Sequence, residues 1–295
     1  MNKIEILKSE KDGLKIKADI PRMAKEGWES ISEDDIQRLK WYGLFLRNPT
    51  PGFFMLRVRI PNGFSVSYQI RALCFIAETF GNGIIDITTR QQVQLRQLKI
   101  ENVPEVFDLL EEAGLTSTQT GLDNVRNIIG CPVAGLNPKE RVNPYAQVKA
   151  LNEHILNNSE FSNLPRKFNV AISGCANDCV HAETQDLALV PAVQEKGGNR
   201  VYGFNVLVGG KLGSGGYRIA TSLDVFVSSE EVVEVCSAII LLYRDHGSRE
   251  ARNKNRLAFL IEDWGEEKFR KALEERLGKS LSSGGVDLRE NEKSE

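Results

Sequence analysis

Hydrophobic residues recur along this chain at two periods, and the period sorts it into elements. In FFMLRVRI, Phe54, Leu56, Val58 and Ile60 alternate with Met55, Arg57 and Arg59, which predicts a strand with one apolar face and two arginines on the other. Ile70, Leu73, Cys74, Ala77 and Phe80 then follow helical spacing up to Gly81. Residues 84–100, IIDITTRQQVQLRQLKI, read either as one long strand or as a strand pair; if continuous, Arg90 and Arg96 share a face. Val103, Val106, Phe107 and Leu110 mark a second helix that stops at Gly114. Strand, helix, strand, helix in this order predicts a small α+β unit with its helices on one side of a sheet.

Upstream, residues 1–50 form a polar segment whose clearest element is SEDDIQRLKWYGLF, with Ser32 placed to cap a helix. Downstream, TGLDNVRNIIGCPVAGLNP, residues 120–138, is rich in Gly, Asn and Pro and marks a domain boundary. Asn143-Pro144 opens a helix carrying Val148, Leu151, Ile155 and Leu156. NLPRKFNVAISG predicts a strand with Phe168, Val170 and Ile172 facing the core and Lys167, Asn169, Ala171 and Ser173 facing away. DLALVPA is a further strand, followed by a polar loop, by YGFNVLVGG and by the glycine-rich GGKLGSGG at 209–216. Ser228 and Glu231 have capping-box spacing before a helix bearing Val232, Val235, Cys236, Ile239 and Ile240, and more helix is expected within 249–277. Residues 281–295 read as a solvated, flexible tail.

Composition narrows the function. A net charge of -2 excludes a general nucleic-acid or membrane-surface binder, so any anion site must be built from locally gathered cations. No apolar run reaches the length of a membrane span and the first residues carry no secretory pattern, so a cytoplasmic location is expected. Arg57, Arg59, Arg90, Arg96, Arg126, Arg166 and Lys167 recur on predicted strand faces or in Gly/Asn loops. Arginine forks suit carboxylates and lysine is a point charge, so the set suits a polycarboxylate cofactor and a small anion, although strand faces also carry such residues for solubility. The three histidines, His154, His181 and His246, lie near no nucleophile motif, which argues against a catalytic triad.

Five cysteines, an odd number, give no disulfide framework. Cys74 and Cys236 fall in helical apolar patterns and read as small buried side chains. In SGCANDCVH, Cys175-x3-Cys179 brings two sulfurs close enough to share a metal centre, with Cys131 as a third donor and His181 as the nearby alternative. Zinc motifs usually show a tight ligand pair in each half, and Cys131 has no such companion. Small polarizable residues in a tight loop remain the other reading.

MLRVRIPNG, DITTRQQVQLR, TGLDNVRNIIGCPVAG, FSNLPRKFNVAISGC and GFNVLVGG, in this order, together resemble the N-terminal half of ferredoxin-dependent enzymes in the siroheme nitrite and sulfite reductase family. The resemblance implies an α+β chain: a ferredoxin-like half domain at 51–119, then the first copy of a siroheme-binding α/β domain at 120–280. It implies siroheme and a [4Fe–4S] cluster as cofactors, ferredoxin as electron donor, and assimilatory reduction of nitrite to ammonia. By motif, Arg57, Arg126, Lys167 and Asn169 match residues around the bound anion. Arg90, Arg96 and Arg166 match positions that hold or line the siroheme, and Arg59, Gly209 and Gly210 are grouped with them. Asn169 after PRKF favours nitrite, because sulfite reductases of this family tend to carry a second lysine there.

The family holds its cluster with C-x5-C and C-x3-C in the second half. Here Cys131 stands where C-x5-C would start, but the sixth position on is Asn137, so Cys131, Cys175 and Cys179 form an incomplete ligand set. The expected partners therefore include a second polypeptide carrying the missing half, or a second copy in a homodimer. A sulfite reductase-type enzyme and a non-catalytic tetrapyrrole-binding module are the alternatives.

Overall fold

Residues 2–213 and 215–289 are described by a computed structural model, in which the chain divides into two units, Met1–Asn127 with Leu156–Asn163 and Ile128–Ile155 with Leu164–Glu295. In the first unit the polar N-terminal segment folds into α1 (Lys3–Glu10), α2 (Ile20–Glu26) and α3 (Glu33–Leu39). The Ser32 hydroxyl accepts the Asp35 N–H at 3.1 Å and caps α3, as expected from the sequence. Leu7, Ile16, Ile20, Met23 and Trp41 from this segment join one core with Leu56, Val58, Leu95 and Val106. The apolar residues of this segment are too thinly spaced to show a period, yet these five are almost wholly buried.

The sheet of this unit runs β1-β2-β4-β3, all antiparallel, from β1 (Leu44–Arg47), β2 (Thr50–Val58), β3 (Ile85–Ile87) and β4 (Val93–Leu98). Helices α4 (Ser67–Phe80) and α5 (Val103–Glu112) fall where the apolar spacing predicts them. Residues 84–100 are a strand pair. The Thr88 hydroxyl accepts the N–H groups of Arg90 and Gln92 and turns the chain there, with Gln91 at φ 56. Arg90 therefore sits in the turn, while Arg96 on β4 forms an ion pair with Asp86 on β3.

The second unit is built on a mixed sheet. Strands β5 (Ile129–Gly130), β6 (Val170–Ile172) and β7 (Leu187–Lys196) are parallel, and β8 (Asn199–Val208) and β9 (Thr221–Ser228) continue it antiparallel. All three β6 residues are buried, including Ala171, which alternation had placed on the outer face. A central parallel strand is covered on both sides, so alternation is lost there. The polar stretch EKGGNR is not a loop: β7 and β8 pair from Leu187↔Val208 to Lys196↔Asn199. Gly197 and Gly198, at φ 60 and 79, make the two-residue turn that matches strand twist.

Helices α6 (Tyr145–Ile155), α7 (Val232–His246) and α8 (Leu257–Leu277) complete the unit. The Glu231 carboxylate accepts the N–H and hydroxyl of Ser228 ahead of α7, whose Val232, Val235, Cys236, Ile239 and Ile240 are fully buried. The expected flexible tail is corrected as far as Arg289: β10 (Val286–Asp287) pairs with Val193 and Ala192 of β7, and Arg289 forms ion pairs with Asp178, Glu183 and Asp287. Short polar strands at a sheet edge carry little hydrophobic signal, which hid it in the sequence. Residues 290–295 of that expectation lie outside the described residues. No helix among the described residues is long and apolar enough to cross a membrane.

Candidate functional site

In the first unit the two arginines of β2 and its exit take different roles. Arg57 is half-buried, stacks over the Phe45 ring at 4.8 Å and donates to the Thr120 carbonyl at 3.1 Å. Arg126 donates to the same carbonyl and to Leu122 O at 2.9 Å, so the structure brings these two predicted anion ligands together on Thr120. Burial lowers the Arg57 pKa, and the nearby charges of Arg90 and Arg96 add to the shift. Arg59, grouped by sequence with the cofactor contacts, is 2% exposed and donates to the carbonyls of Thr118, Gln119, Val125 and Arg126. Its guanidinium pins the 118–126 segment to β2, and burial pushes its pKa down to about 10.

In the second unit the segment PRKFN, irregular where the sequence predicts strand, leads into β6 and places half-buried Arg166 and Lys167 just before buried Asn169. The Asn169 backbone is fixed from both sides: its N–H donates to Asp186 Oδ2 at 2.8 Å and its carbonyl accepts the Leu187 N–H. Its side-chain Oδ1 is buried without a hydrogen-bond partner. Such an atom normally has one in water or a ligand. Asp186 is in turn held by Arg256 through two bonds of 2.8 and 2.6 Å, with both side chains at most 1% exposed. Sequence reasoning missed Asp186 and Arg256, since neither lies in a periodic pattern and they are 70 residues apart.

Gly209 and Gly210 end β8 against the 183–186 segment. The Gly209 N–H donates to Asp186 O, and a Cβ on Gly210 would strike the Glu183 and Gln185 carbonyls. In the glycine-rich run beyond them two carbonyls face the buried Lys211 ammonium, which donates to Gly215 O at 2.7 Å and Gly216 O at 3.2 Å.

The three cysteines of interest do meet. The sulfurs of Cys131, Cys175 and Cys179 all lie within 4.8 Å of one another, the first two buried and the third exposed. His181, the alternative donor, is not in this group; it precedes a short helical turn at φ 49. Burial raises the Cys131 thiol pKa, and burial together with the neighbouring Cys131 and Cys175 pushes Cys179 up to about 11. Two loops are clamped to make the group: Arg141 and Val142 N–H donate to Gly174 O, and the Ala176 N–H to Lys139 O. A Cβ at residue 174 would collide with the Val142 carbonyl. Gly174→Ala is expected to destabilise the chain by about 1–3 kcal/mol, measured by urea unfolding. Stability equal to the parent would show that the clamp is not needed.

The sequence of residues 121–281 matches the family described as nitrite and sulphite reductase 4Fe-4S domain, and residues 47–113 match the nitrite/sulfite reductase ferredoxin-like half domain. The chain belongs to the nitrite and sulphite reductase family. It is 47% identical over 96% of its length to the ferredoxin–nitrite reductase of Leptolyngbya laminosa, covering 56% of that relative. It is 44% identical over 99% of its length to that of Synechococcus elongatus, covering 58%. The solved structure of the Mycobacterium tuberculosis NirA protein superimposes with a TM-score of 0.90 at 32% identity, over 98% of this chain and 55% of that one. The chain thus spans a little over half the length of the relatives it matches. As a nitrite and sulphite reductase family member it has the expected α+β fold, and siroheme and a [4Fe–4S] cluster are the cofactors of its family. A [4Fe–4S] cluster takes four thiolates and the described residues gather three, so the ligand set in this chain is incomplete.

Proposed function

We propose that this chain is the siroheme- and anion-binding part of an assimilatory ferredoxin-dependent nitrite reductase. The observation that carries the reading is the match to ferredoxin–nitrite reductases over nearly the whole chain. The positive charge gathered around Arg57 by Arg90, Arg96 and Arg126 supports it. The overall reaction takes nitrite, six electrons and eight protons to ammonium and two waters. Siroheme supplies the iron on which nitrite is reduced, and ferredoxin the electrons, one at a time.

The chain's own residues bind and protonate. Arg57, Arg126 and Lys167 supply charge that attracts nitrite and stabilises negative charge as it develops on the leaving oxygens. Lys167 Nζ is the proton donor to an oxygen leaving as water, and Asn169 orients the anion through its side-chain amide. Arg90, Arg96 and Arg166 would hold the siroheme carboxylates, and the backbone at Gly209 and Gly210 would allow close approach to the cofactor. The cluster's ligands would come from the missing half, carried on a second polypeptide.

The test loads the purified full chain with siroheme and titrates it with nitrite and, in parallel, sulfite. A nitrite-dependent change in the siroheme spectrum is expected. No response to nitrite, or a response to sulfite alone, would overturn the reading.

A further inference from the structure

The three-cysteine group has a geometry of its own, independent of the nitrite reading. We propose that Cys131, Cys175 and Cys179 hold a single thiophilic divalent metal ion of the zinc class, with the Asn137 amide as the outer hydrogen-bond donor to its ligands. A zinc–sulfur bond of about 2.3 Å places the sulfurs of a tetrahedral site about 3.8 Å apart. The sulfurs here are already within 4.8 Å of one another, so all three reach one ion with a contraction of at most about 1 Å. A cubane instead puts each thiolate on a different iron, which spreads its ligands more widely and calls for a fourth sulfur.

The place that would supply that fourth sulfur is taken by an amide with its orientation fixed. Asn137 Oδ1 accepts the Lys139 N–H at 3.0 Å, which leaves Nδ2 directed at the Cys175 sulfur, 2.8 Å away. The Asn177 N–H reaches the same sulfur at 3.3 Å. Asn137 therefore acts as a donor to sulfur and not as a ligand. Two N–H donors on one sulfur are what a metal-bound thiolate receives from its surroundings, where they offset its charge and orient it. The turn from Cys131 to Asn137, closed by Ala134 N–H to Cys131 O and Asn137 N–H to Val133 O, sets donor and ligand on one loop. The clamp on Gly174 brings that loop to Cys175. Exposure of Cys179 lets water complete the fourth coordination position.

Cobalt(II) is the probe, because thiolate ligation gives it a near-ultraviolet charge-transfer band and tetrahedral geometry gives it strong visible bands. The full chain, without siroheme, is expected to bind one cobalt per molecule with both signatures, and zinc is expected to displace it. Cys179→Ser, at an exposed position that leaves the core intact, is expected to lose part of the charge-transfer intensity and to bind more weakly. Asn137→Ala keeps all three thiolates and is expected to weaken cobalt binding by about 10–100-fold. A folded chain that takes up no cobalt in stoichiometric amount would overturn the proposal. So would iron with acid-labile sulfide in the anaerobically purified protein that disappears in Cys179→Ser. Neither result bears on nitrite binding, which is read from the siroheme spectrum.

Discussion

Asp186→Asn is expected to cost about 3–5 kcal/mol of stability, read as a fall in the urea midpoint. The substitution keeps side-chain volume, removes the charge and turns one of the two accepting oxygens into an NH2 that faces a donor. It leaves the Arg256 guanidinium buried at 1% side-chain exposure with no compensating carboxylate. Burial alone would lower the Arg256 pKa; the Asp186 carboxylate outweighs it and raises the value above that of an ordinary arginine, so the cation depends on this partner. The same carboxylate accepts the Asn169 N–H, so the loss reaches the end of β6 as well. A double variant, Asp186→Leu with Arg256→Met, is expected to recover much of the loss, because apolar residues replace a buried pair at little cost. A loss below about 1 kcal/mol in Asp186→Asn would show that the pair does not anchor this strand.

The elements legible in the sequence are those that bury one face. Helices α4, α5 and α7 carry unbroken apolar stripes, and β2 alternates, so period and structure agree. What was not legible has specific causes. Strand β6 is covered on both faces, so its pattern is continuous. The β7–β8 hairpin runs into polar residues beyond the sheet's covered part, and only the Gly197-Gly198 pair signals the turn. Arg57 and Arg59 look alike on the strand, but the chain segment that surrounds Arg59 with carbonyls lies about 60 residues on and cannot be read from β2. The cysteine group divides in the same way. Cys175-x3-Cys179 is a local motif, whereas the approach of Cys131 and Asn137 depends on the clamp at Gly174.

Lys167→Met in the siroheme-loaded chain is expected to weaken nitrite binding by about 10–100-fold while leaving the siroheme absorption in place. Methionine keeps the length and apolar stem of lysine and removes its charge, so the effect isolates the charge-assisted hydrogen bond to the anion. Asn169→Ala is expected to act in the same direction but more weakly, since a neutral amide donates less strongly than an ammonium. Asn169→Lys tests selectivity. Sulfite is largely a dianion above neutral pH and nitrite a monoanion, so a second ammonium at this buried position stabilises sulfite more. The sulfite-to-nitrite affinity ratio is expected to rise by at least about tenfold, even with strong dielectric screening. The Asp186 anchor holds the Asn169 backbone by its N–H, which does not depend on the side chain, so the substituted residue starts from the same point on the strand. If Lys167→Met binds nitrite like the parent, or Asn169→Lys leaves the ratio unchanged, these two residues do not face the anion and the proposed binding set loses its second-unit members.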